Sequence, residues 1–313
     1  MKRRFVSGIG ITTFAILSML FFSSCKKDKV NDSPKSITDI VSANTDFSLL
    51  KSGVVKANLA TTLSGNGPFT VFAPNDNAFD ASGITSSVIA GLSADQLKDI
   101  LLYHTLGSKI MAAGVPAGPN AAVSTAGGGT VYVTNNSKGV FVNGWKVTTA
   151  DIAASNGVIH SIEHVLMPPA GNLVEVAQAN SNFTYLVAAV LRASEGSTNV
   201  AQVLTSAGPF TVFAPINQAF IDAGFPTIAS IQAADPNTLA SILTYHVIAA
   251  RAFSSDLSDG QSLTTANGGS INVGIGSNAT VKGNGNTSPA TISAVNIMAT
   301  NGVVHVIDKV LLP

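Results

Sequence analysis

The side chains best suited to proton or metal chemistry near neutral pH in this 313-residue chain are its five histidines. His104 and His246 each follow a tyrosine, His160 and His305 each close an Asn-Gly-Val-x-His string, and His164 stands alone. On a strand, His160 and His164 would start about 13 Å apart at ~3.3 Å per residue, too far to share one ion directly. A metal-assisted hydrolase would need His104 to meet His160, and no carboxylate or cysteine is kept beside either in both copies of the motif. The acids nearby are Asp99, Glu163 and Asp308. Glu163 and Asp308 occupy matching positions, but period two turns them away from His160 and His305. No G-x-S-x-G nucleophile turn is present. Asn75-Asp76-Asn77 opens like a calcium loop but lacks the glycine and closing glutamate, so it reads as a helix cap after Pro74. The glycine runs at 127–129 and 268–269 precede strands and carry no phosphate-loop lysine, so they read as turns. His104, His160, His246 and His305 are therefore expected to be structural, each buried with a hydrogen-bond partner. No catalytic set, metal or cofactor is expected.

The elements that would position these residues are written twice. Gly67 to Pro74 recurs letter for letter as Gly208 to Pro215, and ten of the thirteen positions from Gly67 match those from Gly208. Tyr103-His104 returns as Tyr245-His246, and the block from Asn156 to Pro168 returns from Asn301 to Pro313. The offsets of 141, 142 and 145 residues are domain-sized, well beyond a solenoid repeat. Within each copy Phe-Thr-Val-Phe reads as a buried strand. A helix then starts at Ser93-Ala94-Asp95-Gln96 by a capping box, or at Asp235-Pro236 by an N-cap and first-turn proline. Its stripe Leu97, Ile100, Leu101 runs on to His104, leaving Tyr103 about 100° away toward the helix flank. Thr130–Val133, Val140–Val142 and Lys146–Thr148 read as strands, the last two joined at Asn143-Gly144. Helices first and strands later predict an α+β fold. The expected organisation is a leader (1–24), a flexible tether (25–35), domain one (36–169) and domain two (170–313). The stiff linker Pro168-Pro169-Ala170-Gly171-Asn172 is expected to restrict their relative orientation.

These repeated blocks resemble the homology boxes of fasciclin-like domains, over residues 37–313 almost continuously. The resemblance implies two domains, each a small β-wedge or sandwich with packed N-terminal helices, and a non-enzymatic role in adhesion or ligand binding. In animal adhesion proteins of this family the Tyr-His region is implicated in integrin binding. Carried over, that makes Tyr103, His104, Tyr245 and His246 the candidate partner-binding residues.

Composition narrows the partners. Apolar residues make up 46% and charged residues 11%, which suits a neutral polar, secreted-type surface. Six of the 17 basic residues lie in the first 29 positions, leaving 11 basic against 16 acidic side chains from residue 31 onward. Such domains lack the basic face that nucleic acid requires. Lys2-Arg3-Arg4, the apolar run Ile9–Phe22 and Ser23-Ser24 before Cys25 resemble a bacterial lipoprotein signal. Cys25 is thus expected to be lipidated and to hold the chain at the membrane. Lys26 after it favours the outer membrane, facing the periplasm or the exterior. The remaining partner would be a surface protein, a glycan or matrix. A structural envelope spacer and the hydrolase built on His104 and His160 are the alternatives.

Overall fold

The computed structural model describes residues 34–313; the leader, Cys25 and all but the end of the tether lie outside them. Domain one opens with α1 (Ile37–Ala43), α2 (Ser48–Lys56) and α3 (Ala60–Ser64), and then runs into β1 (Phe69–Pro74). Helices α4 (Asp76–Ala81), α5 (Ser86–Gly91) and α6 (Ala94–Tyr103) follow. Strands β2 (Thr105–Leu106), β3 (Gly118–Ser124), β4 (Thr130–Asn136), β5 (Gly139–Val142), β6 (Trp145–Ala154) and β7 (Gly157–Ile162) complete the domain. Domain two repeats the series as α7 (Leu173–Gln178), α8 (Thr184–Ala193), α9 (Val200–Thr205), β8 (Phe210–Pro215), α10 (Asn217–Asp222), α11 (Ile228–Gln232) and α12 (Pro236–Tyr245). Its remaining strands are β9 (Val247–Ile248), β10 (Ser262–Thr264), β11 (Ser270–Ile275), β12 (Ala279–Gly283), β13 (Ala290–Ala299) and β14 (Gly302–Ile307).

Local chemistry starts and stops these elements. Ser36 with Asp39, Ser93 with Gln96 and Asn172 with Glu175 form capping boxes, and Asp235 caps α12 with Pro236 in its first turn. Asn75 caps α4 by accepting from the Ala78 N–H, which is the cap reading of that triplet. Asn143 and Gly144, at φ 47° and 79°, make the tight turn between β5 and β6.

Each domain holds one seven-stranded sheet, ordered β2-β1-β7-β6-β5-β4-β3 in domain one and β10-β11-β12-β13-β14-β8-β9 in domain two. The parallel strand pairing, β1 with β7 and β8 with β14, joins the two repeated motif blocks at the heart of the sheet. Phe72 lies opposite His160, and Phe213 opposite His305. Both strands are buried on both faces, so they read as continuous apolar runs. Period two then sends neighbouring residues into different cores. Val71, Ala73 and Ile159 face the helices with Leu50 and Leu97, while Phe72 and Ile162 face the strand side with Tyr103, Val131 and Val142. Gly157 permits the close approach of the strands: a Cβ there would stand 2.1 Å from the Phe69 carbonyl oxygen.

Strand β7 stops at Ile162, so His164 does not continue the strand of His160 as its spacing suggests. The cause lies in the next backbone donors. The N–H groups of Val165 and Leu166 go to Ser82 Oγ and His104 Nε2, both at 2.9 Å, and the chain turns toward the helices instead of extending the ladder.

The two domains dock. Phe253 is fully buried beside Tyr132, with ring centroids 6.1 Å apart, and the Arg251 guanidinium lies 4.1 Å above the Tyr132 ring. Asn120 Nδ2 donates to the Arg251 carbonyl (2.8 Å), and Lys138 Nζ to those of Ser255 (3.3 Å) and Leu257 (2.7 Å).

Candidate functional site

The repeated polar residues cluster where the last turn of α6 or α12 meets the central strands. His104 is the C-cap of α6 and is 1% exposed. Its Nδ1 faces the Ile100 carbonyl at 2.8 Å, and its Nε2 faces the Leu166 N–H at 2.9 Å. A carbonyl only accepts and an amide N–H only donates, so the ring is the neutral tautomer protonated on Nδ1. His246 repeats this with Ile242 and Leu311, both at 2.8 Å. Each ring ties a helix end to the segment that follows the central strand. Burial drives the pKa of both rings down to about 4, against a smaller upward pull from the bond to the helix carbonyl.

His160 and His305 do the complementary job from the strand side. Nε2 of His160 donates to the Ile110 carbonyl (2.8 Å), while Nδ1 accepts from the Asp151 N–H (3.1 Å). In His305 the partners are the Ala252 carbonyl (2.9 Å) and the Asn296 N–H (3.4 Å), and burial lowers its pKa to about 4. The other repeated polar groups behave alike. Asn156 accepts from the Ile37 N–H and donates to the carbonyls of Leu63 and Gly65. Asn301 does the same with Leu173, Leu204 and Ser206. The hydroxyls of Thr70 and Thr211 each bridge a carbonyl and an N–H in the loop beyond β2 or β9. Asn156, Asn301 and these threonines stand inside the repeated strings, so the repeat itself was the signal that could have marked them.

Tyr103 departs from its sequence-based placement. It turns into the strand-side core at 2% exposure, because its hydroxyl donates to the Thr130 carbonyl (2.9 Å) and accepts from Asn143 Nδ2 (3.0 Å). Burial pushes its pKa up to about 12, partly opposed by the Asn143 bond. Tyr245 donates to the Ser270 carbonyl and accepts from the Asn284 N–H (3.0 Å). All four side chains of the two Tyr-His pairs are buried, so none forms part of the surface that a partner meets.

Each ring nitrogen of His104, His160, His246 and His305 thus faces a backbone group. His104 and His160 do not converge on a shared point: their ring partners lie on different segments. Among the described residues no group of three or more His, Cys, Asp or Glu side chains could hold a metal ion. Glu163 and Asp308 accept from the N–H groups of Lys146 (2.9 Å) and Thr291 (2.7 Å), and so pin the sheet rather than serving a histidine. Among the described residues no helix is long and apolar enough to cross a membrane.

What the repeat does not copy is the junction between the domains. There a cleft of about 340 Å³ is lined by Trp145, His164, Met167 and Met298 among others, and the Trp145 and His164 rings stack at 3.8 Å between centroids. In the sequence Trp145 is simply the single tryptophan, and His164 is met only as a neighbour of His160 too distant to share an ion with it.

The Fasciclin domain family matches residues 45–168 and 181–313. Protein sll1483 of Synechocystis sp. is 38% identical over 177 residues, covering 53% of this chain and 97% of that protein. Human periostin is 28% identical over 283 residues, 89% of this chain and 31% of periostin. Transforming growth factor-beta-induced protein ig-h3 of Sus scrofa is 27% identical over 259 residues, 82% of this chain and 36% of that protein. The chain therefore spans about a third of the length of the latter two. A solved FAS1 domain pair from the insect cell adhesion molecule Fasciclin I aligns with a TM-score of 0.41 and 20% identity, over 84% of this chain and 92% of that one. With both halves matched, the chain belongs to the fasciclin-domain family.

Proposed function

We propose that this protein is a non-enzymatic cell-surface lipoprotein whose two fasciclin domains bind a surface protein, a glycan or matrix. It would be anchored through lipidated Cys25, in the outer membrane. Family membership of both domains supports an adhesive or ligand-binding module. The observation that carries the reading is that every ring nitrogen of the four repeated histidines faces backbone. The groups most capable of catalysis are thereby occupied in holding the fold, and recognition is left to the surface. The basic, apolar and small-residue order before Cys25 supports the anchor.

The full chain, applied to glycan arrays, matrix proteins and intact cells, is expected to bind at least one of them saturably. Uniform failure would remove the adhesive reading. Mass spectrometry of the native protein is expected to find Cys25 acylated, and an unmodified thiol would remove the anchor. A rigid spacer is the second reading, favoured by the docked contacts among Asn120, Lys138, Arg251 and Phe253. It predicts envelope defects on deletion with no ligand found.

A further inference from the structure

We propose that the cleft between the two domains binds a small, flat aromatic molecule carrying one hydrogen-bonding group, with the stacked rings of Trp145 and His164 as its platform. A phenol is the simplest member of that class. The inference does not depend on the adhesive reading.

The internal repeat supplies the control. At the equivalent offset Trp145 becomes Ala290, which is buried, and His164 becomes Lys309, which bonds Ser288 and the Pro289 carbonyl. Domain two builds the same strands without an aromatic pair, so folding does not require one. In domain one the rings stack at 3.8 Å and 20° and stay half-buried at the cleft. A volume of about 340 Å³ suits a small molecule, and domain junctions are a common place for such sites.

The walls define the ligand class. Met167, Val176, Ile297 and Met298 are apolar, and the two thioethers suit an aromatic ring. Two asparagines also line the cleft, but both are committed. Asn143 accepts from the Tyr132 N–H and donates to the Tyr103 hydroxyl; Asn296 accepts from the Ser254 N–H and donates to Ser254 Oγ. The imidazole of His164 is different: it is half-buried at the cleft, stacked on Trp145, and makes no hydrogen bond among the described residues, while burial lowers its pKa. Its neutral ring offers one donor and one acceptor. A ring with a single hydroxyl matches this arrangement. A sugar, with hydroxyls around its whole rim, would leave most of them unpaired against apolar walls. Trp145, His164 and Met167 belong to domain one, Pro168 and Ala170 to the linker, and Val176 and Met298 to domain two, so an occupant would touch both domains and the linker between them.

Trp145 is the only tryptophan, so its fluorescence reports on this cleft alone. The full chain is titrated with p-cresol and, separately, with cellobiose. A saturable change is expected with p-cresol at a Kd on the order of 1 mM or tighter, and none with cellobiose. The variants are His164→Ala, at a position where the twin domain carries lysine, and Met167→Ala, at a position 50% exposed. At least one should weaken the p-cresol response about tenfold. No saturation with p-cresol, or superimposable curves for the wild type and both variants, overturns the site. Saturation by cellobiose overturns the ligand class.

Discussion

Domain one and domain two solve the same packing problem with the same polar residues, then part company at one interdomain contact and one cleft. Ile110 and Ala252 both offer a carbonyl to a strand histidine, and the next residues are Met111 and Phe253. Asp151 and Asn296, both at positive φ, each hold the N–H that follows, of Ala112 and Ser254. Yet Met111 is 38% exposed, whereas Phe253 is wholly buried among Met298 and Val303 of its own domain and Tyr132 of domain one. A position that is held identically by its neighbours but filled differently is not serving the fold common to both. The duplicated residues hold each domain together; unduplicated ones such as Phe253 join the domains, and Trp145 and His164 give the cleft its stacked rings.

Acidification should have the largest effect on that comparison. Histidines held neutral in the native state bind protons in the unfolded chain first, as pH falls below about 6.5. The stability they contribute is whole above that value and is lost as pH drops from 6.5 toward 4. The loss is about 3 kcal/mol for each of His104, His246 and His305. Domain two carries two of these rings. Far-UV circular dichroism should therefore fall in two steps, domain two before domain one. Coincident transitions would show that the domains unfold as one unit.

Phe253→Ala should cost about 3–5 kcal/mol and Met111→Ala under ~1 kcal/mol in denaturant unfolding, although the two positions are twins. Equal costs would erase the distinction between the interdomain contact and the shared fold. Asn301→Ala strands a buried N–H and two carbonyls, for a loss of about 3 kcal/mol. Asn156→Ala should match it within about 1 kcal/mol, since its three bonds are the same. Lys138→Ala, which removes exposed donors to the Ser255 and Leu257 carbonyls, should cost about 1 kcal/mol and loosen only the docking.

Local signals were legible in the sequence where their partners lie a few residues away. Ser93 finds Gln96, Asp235 caps beside Pro236, and Asn143-Gly144 turns β5 into β6. The period-two and helical patterns gave the strands and helices, and the repeat gave the two-domain organisation. Long-range placement was not legible. Tyr103 was expected at the helix flank by angle alone, but its hydroxyl partners lie 27 and 40 residues away and draw it into the core. His164 was expected to continue a strand, but the donors after it answer to Ser82 and His104, 83 and 62 residues back. The Trp145–His164 cleft left no motif, because its walls come from both domains and their linker.

Thermal unfolding of the full chain bearing His246→Ala tests most directly whether the repeated histidines are ties between helix and sheet. The variant strands the buried Leu311 N–H, so a loss of about 3 kcal/mol is expected, together with ligand binding that fails only as far as the protein unfolds. An unchanged Tm accompanied by lost binding would contradict the account and return the Tyr-His pair to the role of a recognition site.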